Sequence, residues 1–388
     1  MVSVTLRKTR ETRVRGGHPW IYASEIESVA GEVQNGDIVE VRNFRGGYIG
    51  RAFYNPASQI SLRMLTVREE ACDRAFFKAR IEDAWAYRKL LCDPMSCRLI
   101  YSESDFLPGL IVDKYGDYLV VQILSLGIER IREMLVELLV EVVQPRGIYE
   151  RSDVPVRRLE GMAQRAGLLW GEVPDAVDLY ENGILFSVDV KNGQKTGFFL
   201  DQKQNRAGIA PFCAGARVLD CFCHNGSFSL HAAKYGAAHV IGVDISEDAL
   251  IVARENAARN GFANVQFEAK NCFDDLRART EAGEQFDLVI LDPPAFTKTK
   301  SAVEGALRGY KEINLRALKL VRPGGFLVTC SCSQHISSEM FQTMVNEAAR
   351  DSKTRVRMVE YRTQSYDHPI LPAARETKYL KAMYLQIL

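Results

Sequence analysis

The sequence predicts an α/β protein: a doubly wound parallel sheet in the C-terminal half, preceded by a small β-barrel and a central α+β segment. Three observations carry that expectation. From residue 217 onward, short apolar runs alternate with stretches of helical periodicity, the pattern of a parallel sheet covered by helices on both faces. Before residue 70, short β-prone runs are separated by glycine turns, as in a small barrel. At 388 residues the chain exceeds what one core usually holds, roughly 250 to 300 residues, so two or three domains are expected. Their boundaries read as 1–70, 71–172 and 173–388.

Hydrophobic content of 47% and charged content of 26% are those of an ordinary globular chain. No apolar run is long enough to span a bilayer, and the first seven residues lack the plan of a signal peptide, so a cytoplasmic protein without a membrane partner is expected. Nine cysteines, none in a C-x2-C pair, speak against a secreted disulfide framework and against a zinc site; no metal is expected. The net charge of +1 hides an asymmetry. Residues 1–68 hold ten Lys or Arg against six Asp or Glu, whereas the remainder is net acidic. A basic amino-terminal module points to a polyanionic partner.

In chain order, strands are expected at 2–6, 36–42, 46–53 and 60–65. Between the first two lies Gly16-Gly17-His18-Pro19-Trp20-Ile21-Tyr22, in which two glycines free the backbone and two aromatics sit near arginines. This stretch resembles the PUA domain, a small RNA-binding barrel, over about the first 70 residues. Taken singly, Trp20 and Tyr22 read first as core aromatics of a small barrel and only second as base-stacking rings. RNA contact is therefore expected from Arg7, Lys8, Arg10 and Arg13 more than from Trp20.

Helical spacing at 73–91 leads out of the barrel. The central segment then offers strands at 98–101, 110–112, 118–123 and 147–149, turns at 104–109 and 114–117, and an amphipathic helix at 128–143 stopped by Pro145. It holds no catalytic constellation and reads as a scaffold. A hairpin is expected over 173–190. Beyond it the alternation begins: strand 217–222, helix 227–234, strand 239–243, helix 247–259, strands 265–268 and 287–291, helix 304–320, and strand 326–329 launched by Pro323-Gly324-Gly325. Ser246 before Glu247-Asp248, and Asn260-Gly261 at the other end, are the start and stop signals of one of these helices. Two last strands, 355–361 and 378–388, would pair as a hairpin and complete seven strands.

Parallel sheets of this kind bind ligands at the carboxyl ends of their strands. Asp220-Cys221-Phe222-Cys223-His224-Asn225-Gly226 follows one strand, and Asp244 ends the next, where a carboxylate suits the hydroxyls of a ribose. A single glycine, Gly226, stands where a dinucleotide site has three, which favours S-adenosylmethionine over NAD. Asp292-Pro293-Pro294 ends another strand, its prolines holding an extended, carbonyl-rich loop suited to a flat base. The strand at 326–329 runs out into Cys330-Ser331-Cys332-Ser333. By themselves such thiols read as small buried hydrophobes.

In combination, Gly17 to Trp20, the 195–202 stretch Lys-Thr-Gly-Phe-Phe-Leu-Asp-Gln, Asp292-Pro293-Pro294 and Ser331-Cys332-Ser333 make the chain resemble the seven-stranded, Rossmann-like class I methyltransferases. The resemblance is strongest to the PUA-containing family that forms 5-methylcytosine in large-subunit (23S) ribosomal RNA, and it covers essentially all 388 residues. It implies Cys332 as nucleophile and Asp292 as the residue holding the cytosine beside Pro293 and Pro294. The donor, S-adenosylmethionine, would be bound by Asp220, Phe222, Gly226, Asp244, Ile245, Asn271, Asp292 and the 198–202 loop with Phe198, Leu200 and Gln202. A thiolate adding at C6 makes C5 nucleophilic, so Cys332 is expected in a polar, accessible crevice.

Alternatives stay open at this level. Cys330, two residues before Cys332, would face the same way along a strand and could exchange roles with it. The base that removes the C5 proton has no candidate. Asn271 replaces the Asp that often meets the adenine amino group. An amino-methylating enzyme and a non-catalytic RNA-binding assembly factor compete with the cytosine-C5 reading, and a homodimer is an open alternative to a single chain.

Overall fold

A computed structural model describes residues 2–193 and 196–388, so Lys195 of the motif quoted above lies outside the described residues. Two compact units are present. The first comprises Met1–Leu179, Val188–Leu200 and Tyr366–Thr377; the second comprises Tyr180–Ser187, Asp201–Ser365 and Lys378–Leu388.

In the first unit a six-stranded sheet runs in the order Trp20–Ile21, Leu62–Thr66, Tyr48–Tyr54, Ile38–Arg42, Ser3–Leu6, Ile26–Ala30. Its last strand was not anticipated: all its side chains after Ile26 are exposed, so it carries no inward-outward alternation to read. A five-stranded sheet follows in the order Arg165–Gly171, Gly147–Ser152, Tyr118–Ile123, Leu110–Tyr115, Ser96–Tyr101. Helix Arg74–Leu91, capped by the Asp73 carboxylate on the Phe76 N–H at 3.1 Å, packs Phe77 and Ile81 into its core. The helix expected at 128–143 is two, Leu126–Arg130 and Arg132–Val143, and ends at Gln144 in the left-handed region just before Pro145.

Buried charge explains why the barrel and the central segment form one unit. Arg63, on a barrel strand, reaches Glu103 at 3.1 Å and Glu160 at 2.8 Å, and the Trp20 indole N–H donates to Glu103 at 2.8 Å. Burial alone would raise the Glu160 carboxyl, but the Arg63 charge and the bonds from Arg63, Ser58 and Asn55 outweigh it and hold the group below its usual range. Separating the two pieces would strand these charges without partners.

The second unit is built on seven strands: β1 Arg217–Cys221, β2 His239–Asp244, β3 Val265–Ala269, β4 Phe286–Leu291, β5 Val321–Ser331, β6 Val356–Arg362 and β7 Lys381–Ile387. They lie in the order β3-β2-β1-β4-β5-β7-β6, with β7 antiparallel to both neighbours. Strand order reverses between β1 and β4, and that reversal opens a crevice at the carboxyl ends. Helices α1 Ser227–Lys234, α2 Glu247–Arg259, α3 Cys272–Glu281, α4 Val303–Leu320 and α5 Ser338–Asp351 cover the sheet. Two of them correct the sequence reading. The segment between β3 and β4 is a helix, α3, whose four buried residues sit among acidic and basic ones. In α5, Phe341, Met344, Val345 and Ala348 are buried at helical spacing, a signal the sequence does contain. Among the described residues, no helix is long and apolar enough to cross a membrane.

Candidate active site

Register brings the predicted strand ends together. Cys221 on β1 lies opposite Val243 on β2 and Leu291 on β4, and Leu291 lies opposite Thr329 on β5. Phe222, Asp244 and Asp292 come immediately beyond these pairs, and Cys332 follows Thr329 by three residues, just past the end of β5 at the same edge of the sheet.

Asp220 is fully buried. Its Oδ2 accepts from the Ser229 hydroxyl of α1 at 2.6 Å, while its Oδ1 is buried with no partner. Burial, reinforced by the charges of Asp292 and Asp244, pushes this carboxyl up to about 7. An orphaned acceptor at a strand end is the kind of group a ligand N–H or O–H satisfies.

The turn from β1 into α1 places Phe222, His224 and Gly226 at positive φ. At Gly226 a Cβ would stand 2.8 Å from the Phe267 ring and 3.1 Å from Ala253, so glycine answers to packing against α2 and β3 as well as to the turn. Asp244 accepts from the His224 N–H through Oδ2 and from the Ser246 N–H through Oδ1, both at 2.9 Å. These bonds fix the carboxylate, and each oxygen keeps a further lone pair. Beside it Ile245 is 72% exposed, an apolar surface ready to be covered. Asn271, exposed, caps α3 with its side-chain oxygen on the Phe273 N–H at 2.9 Å.

Asp292 leaves β4 half-buried, with Pro293 buried and Pro294 exposed. Its Oδ1 accepts from the Gln202 amide at 2.7 Å, and Gln202 in turn accepts from Asn205 at 2.6 Å. Gln202, expected beside the donor, is thus engaged in orienting Asp292, through a relay that sequence reading missed. Phe198 and Leu200 belong to the first unit, where both side chains are buried and the Phe198 carbonyl accepts from the Tyr115 hydroxyl at 3.4 Å.

The two thiols differ. Cys330 is 0% exposed, packed with Val328, Ala382 and Tyr384, and burial pushes its thiol far above the ordinary range. β5 ends at Ser331, so the alternation that would align the two cysteines stops before Cys332. Cys332 is half-buried, and its Sγ donates to the Pro293 carbonyl at 3.9 Å. The serine after it is held by the Tyr310 hydroxyl at 3.0 Å. Among the described residues no group of three His, Cys, Asp or Glu is arranged to hold a metal.

On the barrel, Lys8 and Arg10 are exposed, and Arg7 is exposed while paired with Glu27 at 3.1 Å. Arg13 is committed internally, to Glu25 at 2.7 Å and to the Trp20 carbonyl at 2.9 Å. Trp20 itself packs edge-on against His18, with its N–H on Glu103.

A sheet of this order, with acidic groups at the ends of β1, β2 and β4, defines an S-adenosylmethionine-dependent methyltransferase. The family description of that name matches residues 159–385, and a PUA-like domain matches residues 4–67. The chain is 44% identical to ribosomal RNA large subunit methyltransferase I of Tolumonas auensis, over 99% of each chain, and 44% identical to that of Shewanella denitrificans, over 100% of this chain and 99% of the relative. It belongs to the family of ribosomal RNA large subunit methyltransferase I. In fold it is similar over its whole length to a Streptococcus mutans structure described as a SAM-dependent methyltransferase (TM-score 0.83, 19% identity, 100% of both chains). A second methyltransferase, solved with SAH, is similar at TM-score 0.85 with 20% identity over 100% of both chains. The methyl donor is S-adenosylmethionine.

Proposed function

We propose that this chain methylates C5 of a cytosine in large-subunit ribosomal RNA, with Cys332 as nucleophile and Asp292 as the residue that holds the base. The single observation that carries this reading is the placement of the half-exposed Cys332 thiol 3.9 Å from the Pro293 carbonyl, beside Asp292, while Cys330 is sealed in the core. Methylation of an exocyclic amine needs no thiol there. The substrate class comes from the names of the full-length relatives. One chain suffices for the reading; a homodimer is not part of it.

S-adenosylmethionine, when bound, supplies a methyl group on a positively charged sulfur. Asp220, Phe222, Gly226, Asp244, Ile245 and Asn271 would hold it: Asp244 through its remaining lone pairs on ribose hydroxyls, Ile245 and Phe222 against the adenine, Asn271 at the adenine amino group. The cytosine must leave its stack, at a cost of a few kcal/mol that an unpaired site reduces. Addition of the Cys332 thiolate to C6 pushes electrons toward N3 and C5; Asp292, oriented by Gln202, hydrogen-bonds N3 and stabilises the developing charge. C5 then takes the methyl group, a base takes the C5 proton, and the electrons of that C–H bond expel the thiolate.

Large-subunit rRNA incubated with the protein and labelled donor, then digested to nucleosides, should yield labelled 5-methylcytidine. Label in N4-methylcytidine or in a methylated purine would overturn the reading. Lys8→Ala with Arg10→Ala should weaken RNA binding and flatten its salt dependence by roughly 0.7–0.9 log units per log unit of salt for each phosphate no longer neutralised. Unchanged slopes would place the RNA-holding surface elsewhere.

Donor binding should also depend on pH. Asp220 is largely protonated below about 7 in the donor-free protein. A positively charged donor favours the ionised carboxylate, so binding releases a proton and tightens as pH rises through about 7. Calorimetry should find affinity several-fold higher at pH 8 than at pH 6, and the dependence should vanish in Asp220→Asn. A flat profile in the native chain would remove Asp220 from the donor site.

A further inference from the structure

The mechanism above leaves one buried charge beside the nucleophile unused. Lys381 opens β7, opposite Ser331 of β5, and is only 3% exposed. A lysine buried to this degree ordinarily meets a carboxylate. Here, among the described residues, no carboxylate lies within ion-pairing distance of it. Its ammonium donates instead to the carbonyls of Ser333 at 2.7 Å and Ile336 at 2.9 Å, which bracket the turn leading away from Cys332. An ammonium has three N–H groups, so one remains beyond these two bonds.

Burial pushes the Lys381 amine down to about 8, and the acidic group acting on it in the opposite direction is Cys332. Lys378 is the cation that works against it. Around the thiol stand Tyr310 from α4, whose hydroxyl meets Ser333 and which senses the Cys332 charge, and the sealed Cys330 on β5. Asp292 ends β4 and His335, in the turn, faces the Lys298 carbonyl at 3.2 Å. A buried ammonium held against the carbonyls of the turn that follows a half-buried thiol favours the thiolate form of that thiol.

We propose that Lys381 is a positioning residue for methyl transfer: it fixes the backbone after Cys332 through the Ser333 and Ile336 carbonyls and provides the positive charge beside which Cys332 stands as a thiolate. The proposal rests on Cys332 being the nucleophile, but its test does not depend on methyl transfer. The full chain is alkylated with iodoacetamide across pH 5.5 to 10, and modification of Cys332 is followed by peptide mass spectrometry that separates it from Cys330. In the native chain the rate should reach half its maximum at least one pH unit below the ordinary cysteine value of about 8.5. Lys381→Met should move that midpoint up by one unit or more, and Lys381→Arg should hold it near the native value; the acid limb of kcat/KM should shift in step.

A native midpoint at or above about 8.5 overturns the proposal whether or not Lys381→Met folds. So does a folded Lys381→Met, checked by circular dichroism and donor binding, that leaves the midpoint in place. A low, lysine-dependent midpoint together with a fully active Cys332→Ala would leave the ion pair standing and sink the C5 reading instead.

Discussion

Cys332→Ala is expected to abolish methyl transfer to RNA, by on the order of a thousandfold or more, while affinity for S-adenosylmethionine stays within a few-fold. The separation follows from position. Asp220, Asp244 and Asn271 stand at the ends of β1, at β2 and before α3, whereas Cys332 follows β5, across β4 from them. Without a thiolate at C6, C5 of cytosine is too electron-poor to attack a sulfonium methyl. The companion variant, Cys330→Ala, should behave oppositely: it opens a small void among Val328, Ala382 and Tyr384, lowering stability by about 1 kcal/mol and sparing chemistry. Single-turnover transfer from labelled donor, with calorimetry for binding, checks both. A fully active Cys332→Ala would move the chain to the amino-methylating class.

Asp292→Asn is expected to lower kcat by on the order of a hundredfold with little change in donor affinity. The substitution keeps an oxygen for the Gln202 amide, so the 2.7 Å bond and the loop can persist while a neutral amide replaces the carboxyl group. What fails is the stabilisation of charge at N3 once sulfur has added at C6. Steady-state kinetics on rRNA checks this, and a variant within twofold of native activity would show that a neutral hydrogen-bonding group suffices at this position. Gln202→Ala should give a smaller loss of the same kind, since it frees Asp292 to rotate without removing it.

The strand ends were readable because parallel strands covered on both faces are near-continuous apolar runs, and the first polar residue after each run marks the crevice. Asp220, Asp244 and Asp292 were singled out in that way, whereas Cys332 was singled out by the resemblance that Ser331-Cys332-Ser333 carries. Partners were not readable. The Gln202 relay to Asp292 spans ninety positions of sequence, and nothing local announces it. Lys381 looks like any surface lysine until β7 is seen to lie beside β5. Arg13 reads as a free cation in a basic run, yet Glu25 and the Trp20 carbonyl occupy it. Gly226 was located for the right turn, but the ring that forbids a side chain there comes from β3, forty residues on. The strand at Ile26–Ala30 hides for the opposite reason: an exposed edge need not alternate.

β7 comes after β6 in the chain yet lies between β5 and β6 in the sheet. During folding, the outer edge of β5 therefore waits, unpaired, for a segment about fifty residues downstream of Ser331. Pairing Cys330 with Ala382 and Ser331 with Lys381 is then one event. It buries Cys330 and brings Lys381 to the turn after Cys332 together, so the docking of one strand sets the surroundings of both thiols at once.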